Sequence, residues 1–130
     1  MSTNNNDNHM LQFLNQKYIN LETYRKNGQS VHTPVWFAID GGTIYIRTDV
    51  RSGKVKRIKN NPHIRVTPSG ARGEPKGKWL EGQMKMASSL ESEKANQLLE
   101  QKYGVQGKLI RLINKIRRTR PIVLSIRIQT

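Results

Sequence analysis

Between Ser30 and Lys59 the chain holds two strand-length runs joined by Asp40-Gly41-Gly42, and the second runs straight into a short basic helix. Few folds accept that order. Ser30 to Ile39 and Thr43 to Thr48 carry the β-branched and aromatic residues that suit a pleated surface, and Asp-Gly-Gly suits a tight hairpin. Ser52 is placed to cap a helix running to about Asn60, which Pro62 stops. Thr48, Ser52, Gly53 and Lys54 thus gather where a strand ends and a helix begins. A helix N-terminus offers unpaired N–H groups and partial positive charge, so that corner favours an anion. Thr33, Pro34, Val35 and Trp36 lie on the neighbouring strand.

The rest of the chain continues in short strands. Met10, Leu11, Phe13 and Leu14 fit a short lead-in helix, and Tyr18 to Tyr24 alternates as a strand before the turn Arg25-Lys26-Asn27-Gly28. His63 to Thr67 and Trp79 to Ala87 are further strands, separated by Pro68 to Lys78, whose Gly70, Gly73, Pro75 and Gly77 predict a mobile loop. Ser88 and Glu91 have capping-box spacing for a helix that stops near Tyr103 with Gly104. Leu109, Leu112, Ile113 and Ile116 then recur at helical spacing, and Pro121 precedes a last strand, Ile122 to Ile128. Six mostly antiparallel strands with late helices predict an α+β fold, a small closed or split β-barrel with peripheral helices.

A chain of 130 residues suits one domain, here residues 10–130, after a polar leader over 1–9 expected to be disordered. Without cysteine there are no disulfides, thiolate metal sites or Cys nucleophile. No run approaches the roughly 18–20 apolar residues of a membrane span, and the N-terminus has no signal-peptide core, so a soluble cytoplasmic protein is expected. The net charge of +14 favours a polyanionic partner: nucleic acid, anionic lipid, or a phosphorylated or polycarboxylate cofactor. Arg51, Lys54, Lys56, Arg57 and Lys59 form one basic cluster; Lys108, Arg111, Lys115, Arg117, Arg118 and Arg120 form another.

At the first cluster, Thr48 and Ser52 offer hydroxyls, Arg47 and Lys54 full charge, and Gly53 close backbone approach to a phosphate. The competing account is an ordinary Ser cap on a solvated basic helix. Along Thr33 to Trp36, Pro34 withdraws one ladder bond, which leaves strand backbone for the polar edge of a planar heterocycle with Trp36 against the ring. Core packing competes there too, and Phe37 is assigned to the core. His32 and His63 lack partners at metal spacing, although His32 stays open as a general acid. Ser88, Ser89 and Ser92 suit helix caps, and the nine acidic residues form no catalytic pair. The basic helix Lys108–Arg118 either lies on an anionic membrane or nucleic acid, or packs its apolar side chains on the barrel. Scattered aromatics speak against a single-strand stacking platform, so nucleic acid is not the expected main partner.

Five motifs in order make a family resemblance. Thr23-Tyr24-Arg25-Lys26-Asn27-Gly28, Thr33 to Phe37, Arg47-Thr48, Gly53 to Ile58 and Asn60-Asn61-Pro62 stand as they do in pyridoxamine-phosphate-oxidase-like split barrels, and Lys102-Tyr103-Gly104 adds a helix end. Over roughly Lys17 to Ile128 the chain resembles the small deazaflavin-dependent branch of that family. The resemblance implies an FMN-binding split-barrel fold and a homodimer with cofactor along the subunit interface. It implies coenzyme F420, or FMN as the alternative, with Arg47, Thr48, Ser52, Gly53, Lys54 and Arg57 at the phosphate. Thr33, Pro34, Val35 and Trp36 would line the ring. The implied activity is hydride transfer between reduced deazaflavin and an electron-poor small organic acceptor, with the chemistry carried by the cofactor. A non-catalytic carrier and a nucleic-acid-binding module remain the alternatives.

Overall fold

The computed structural model describes residues 9–116 and 120–129, without the side chains of 105–111 and 113–116. The leader expected over 1–9 therefore lies, but for His9, outside the described residues. A 3-10 turn, Leu11–Phe13, leads into β1 (Tyr18–Tyr24), β2 (Ser30–Val35), β3 (Ala38–Asp40) and β4 (Thr43–Asp49). Helix α1 (Gly53–Asn60), β5 (His63–Ser69), β6 (Leu80–Met86), helix α2 (Ser89–Ile116) and β7 (Pro121–Ile128) complete the chain.

One sheet of seven strands runs β2-β1-β5-β6-β7-β4-β3, antiparallel at every pairing. Its edge strands, β2 and β3, are separated in the chain only by Trp36 and Phe37. The sheet must therefore curl until its edges meet, which is a split barrel in the α+β class. Seven strands replace the expected six because the run Ser30 to Ile39 breaks at this point. Phe37 gives its N–H to the Tyr103 hydroxyl at 2.9 Å, and its carbonyl accepts from Tyr103 at 3.0 Å and Lys102 Nζ at 3.0 Å. Backbone groups engaged by a helix cannot also serve a ladder.

The barrel interior holds Ile19, Leu21, Phe37, Ile44, Ile46, Ile64, Val66, Met84, Leu124 and Ile126, and α1 adds Val55 and Ile58. Burying each such side chain is worth about 1.5–3 kcal/mol, so the alternation of these strands sets which face turns inward. Outside, α2 covers β4 and β7 through Tyr45, Ala95 and Val123. Its capping box forms as the spacing requires: Glu91 N–H donates to Ser88 Oγ at 3.2 Å, and Ser88 N–H to Glu91 Oε1 at 3.0 Å. At Gly104, φ is 55° and the helix kinks before resuming, so the stop signal interrupts rather than ends it.

The basic helix expected over Lys108–Arg118 is helical in backbone as far as Ile116, and 117–119 lie outside the described residues. Leu112 is 56% exposed, so at that position the expected packing onto the barrel does not occur.

The segment Pro68 to Lys78 is more ordered than its glycines imply. Pro68 and Ser69 finish β5, and the remainder is tied down. Asn20 Nδ2 donates to Gly73 O at 2.7 Å, Lys76 N–H to Pro68 O at 2.7 Å, and the Gln12 amide pairs with both backbone groups of Lys78 at 2.8 and 3.0 Å.

On the outward face of β1, Glu22 is only 4% exposed. Its carboxylate accepts from Arg65 Nε at 2.5 Å and Nη2 at 3.0 Å and from Tyr24 OH at 2.5 Å, and it pairs with His32 Nε2 at 3.1 Å. No motif in the sequence announces this network, because Glu22 and Arg65 meet only through the β1–β5 register.

Candidate functional site

Asp49 builds the approach to α1. Its carboxylate accepts from the Arg51 N–H at 2.7 Å, from the Arg51 guanidinium at 3.2 Å and from the Arg120 N–H at 3.3 Å, while its carbonyl takes the Ser52 N–H at 2.9 Å. The Arg51 side-chain and backbone bonds hold its pKa down to about 2, so Asp49 is ionised and keeps the turn closed. No motif marks Asp49 in the sequence.

Ser52 occupies the N-cap position with extended backbone (ψ 157°), yet its side chain makes no capping bond. Its Oγ is instead buried without a hydrogen-bond partner among the described residues. A buried hydroxyl left unpaired costs about 1–3 kcal/mol, and a group that expensive calls for a ligand or a water. Ser52 immediately precedes the first turn of α1, whose leading N–H groups have no intrahelical acceptor.

Two cations complete the corner. Arg57, one turn on from Gly53, folds back along the helix and donates from Nε to Thr23 Oγ1 at 2.6 Å. A Cβ built on Gly53 would stand 2.6 Å from Arg57 Nη1, so glycine leaves that guanidinium its place over the helix start. Lys54 is half-buried, and burial, followed by the charge of Arg57, holds its pKa below the ordinary lysine value. Arg57 itself is lowered by burial and then by Arg25. Among the described residues neither Lys54 nor Arg57 makes an ion pair. Half-buried positive charge without an acid beside it fits an anion supplied from outside the chain.

The structure thus gathers Ser52, Gly53, Lys54 and Arg57 at one corner. Thr48, on β4 just before the Asp49 turn, leads into it. Arg47 turns to the opposite face, where its Nη1 donates to Asn96 Oδ1 on α2 at 2.9 Å. Adjacent residues of a strand point to opposite sides, and the alternation of buried Ile44 and Ile46 already signalled this.

The proposed ring-lining residues divide likewise. Val35 packs against the interior, Thr33 pairs with Leu21, and Pro34 sits opposite Asn20 on the outer face. Trp36 leaves the strand and stacks on Tyr103, with centroids 4.2 Å apart and planes at 3°. Thr33, Pro34 and Val35 share backbone on the edge strand β2, the location that Pro34 requires, and Trp36 follows directly after it. Thr23, which anchors Arg57, pairs with Val31, two residues along β2 from Thr33. The anion corner and this free strand edge are therefore neighbours. Lys102 extends the same margin: its Nζ lies 3.4 Å from the centroid of the Phe37 ring, and burial lowers its pKa to about 8.

Residues 7–111 match the sequence profile of pyridoxamine 5'-phosphate oxidase. The chain belongs to that family. No curated protein sequence matches it closely. Among solved structures, one described as an F420 reductase shares 16% identity over 94% of each chain, with a TM-score of 0.60. An FAD-binding protein of Mesorhizobium loti shares 14% identity, covering 93% of this chain and 85% of its own, at a TM-score of 0.64. The heme storage protein HutZ of Vibrio cholerae shares 13% identity, covering 89% of this chain and 84% of its own, at 0.63. At such identities these relatives establish the pyridoxamine 5'-phosphate oxidase fold and leave the ligand to the residues of each member.

Proposed function

We propose that the protein is an F420-dependent oxidoreductase that acts on electron-poor small organic acceptors, with the cofactor phosphate gripped at the start of α1. The observation that carries this reading is the unpartnered, buried Ser52 hydroxyl beside the half-buried, acid-free pair Lys54 and Arg57. Ser52 Oγ and the first N–H groups of α1 would donate to phosphate oxygens, and Lys54 and Arg57 would neutralise the charge. The backbone of the edge strand β2 at Thr33 to Val35, with Trp36 just beyond it, would hold the polar rim of the ring. When bound, the reduced deazaflavin supplies the hydride. The chain orients it and excludes water.

FMN carries a phosphate that suits the same corner. F420 is favoured because its tail is polyanionic and the chain has a net charge of +14. A homodimer, with the β2 edge and the α1 corner facing a second copy, belongs to this proposal.

The test is a fluorescence titration of the protein with F420 and, separately, with FMN. Micromolar or tighter F420 binding with weak FMN binding supports the reading, as does a loss of about tenfold or more in Lys54→Ala. Preference for FMN changes the redox partner. Binding of neither, or an unchanged Lys54→Ala, removes the phosphate grip.

A further inference from the structure

A cavity lies over β4, β7 and β6 beside the first turn of α2, with Pro62 and Met84 forming an apolar part of its wall. It has a volume of about 250 Å³. The register of β4, β7 and β6 sets Thr43, Arg127 and Gln83 in one row and Tyr45, Ser125 and Lys85 in the next. Five of these six, all but Tyr45, line the cavity, and Glu91 from the first turn of α2 joins its wall. Lys85 and Arg127 are diagonal neighbours across β6 and β7, close enough for two long side chains to meet on one group.

The polar inventory of this cavity is lopsided. Among the described residues neither Lys85 nor Arg127 makes an ion pair. Ser125, only 4% exposed, contributes a buried hydroxyl-bearing side chain between them. Glu91 forms no ion pair with either cation, although the charge of Lys85 acts on it; its Oε1 accepts from the Ser88 N–H and its Oε2 from the Tyr45 hydroxyl, each at 3.0 Å. Those bonds, Ser88 first, hold its pKa below the ordinary glutamate value, so it stays an ionised acceptor at the wall. One end of the cavity therefore asks for an oxyanion and the other for a hydrogen-bond donor.

We propose that this cavity binds a small hydroxylated oxyanion, its charge held by Lys85 and Arg127 and its hydroxyl turned to Glu91. Pockets for drug-sized ligands run from about 300 Å³ upwards, so this cavity excludes a tricyclic cofactor and takes a molecule of a few carbons. It depends on no assignment made at the α1 corner.

The experiment is an amide NMR titration of the full chain with malate, at constant ionic strength, with succinate as the control that lacks the hydroxyl. Saturable shifts at the Thr43, Gln83 and Ser125 amides, weaker with succinate, are the expected result. Lys85→Gln and Arg127→Gln should each weaken binding by about tenfold, while Lys54→Ala leaves it unchanged. Both variant side chains are solvent-exposed, so a wild-type amide pattern in the free variants confirms that the fold is kept. Absence of saturable shifts at these amides, shifts confined to Gly53 and Lys54, or wild-type affinity in both variants overturns the proposal. Equal affinity for succinate overturns the role given to Glu91.

Discussion

Arg57 and Thr23 are joined across the corner between α1 and β1, guanidinium Nε to hydroxyl at 2.6 Å. Thr23 is 1% exposed, so the bond is shielded and fixes how Arg57 passes over Gly53. Thr23→Val keeps the shape and removes the acceptor. A bond from a charged guanidinium is worth about 1.5–3 kcal/mol, so cofactor affinity should fall roughly tenfold or more by fluorescence titration. Unchanged affinity would show that the aim of Arg57 is irrelevant to binding.

Ser52→Ala separates function from fold. The hydroxyl makes no capping bond and is buried unpaired, so removing it should raise stability by about 1 kcal/mol in urea denaturation. Affinity for the phosphate-bearing cofactor should drop in the same variant. A protein that is both less stable and equally tight would identify Ser52 as an ordinary cap.

Glu22 predicts the behaviour in acid. The hydrogen bond from Arg65 is the largest influence on its carboxyl and outweighs burial, so its pKa lies below the ordinary value. A depressed carboxyl stabilises the fold above its unfolded pKa, and that contribution is lost as pH falls through the folded value. Glu22→Gln should therefore flatten the acid limb of the stability profile. Arg65→Ala removes the main partner of a buried carboxylate at a cost of up to about 3–5 kcal/mol, and it should be less damaging at acid than at neutral pH, because without the guanidinium the carboxyl takes up a proton more readily. Urea midpoints at the two pH values decide it; equal damage at both would mean that Arg65 acts by packing over Trp79 alone.

Tyr103→Phe should open the seam between β2 and β3. One hydroxyl accepts from the Phe37 N–H and donates to the Lys17 or Phe37 carbonyl, at 2.8 and 3.0 Å. Its loss leaves a buried N–H unpaired, at about 1–3 kcal/mol. Hydrogen exchange should accelerate first at Phe37 and Ala38. Uniform acceleration across the sheet would mean that the seam is not a separate unit.

Where local chemistry decided the structure, it could be read ahead. Tyr18–Tyr24 alternates, Asp40-Gly41-Gly42 turns, and Ser88 with Glu91 caps, each needing only near neighbours. The position of Ser52, Gly53 and Lys54 at the start of a helix was legible for the same reason. Apart from Asp49, whose main partner is Arg51, the features that no motif marks span the chain. Phe37 is pulled out of its strand by Tyr103, 66 residues on, and Glu22 finds Arg65 at a separation of 43. Arg47 is a different case, because the strand alternation that sends it to Asn96 was visible and was outweighed by its charge.

The position of β7, between β6 and β4, has a consequence for synthesis. Until residues 121–128 emerge from the ribosome, β3 and β4 form a two-stranded ribbon with nothing to join it to the other four strands. The nascent chain then presents two open edges, on β6 and β4, of the kind that pair promiscuously between molecules. Newly made copies are therefore most prone to misassembly just before the last strand arrives, and a chaperone that shields sheet edges would act in that interval.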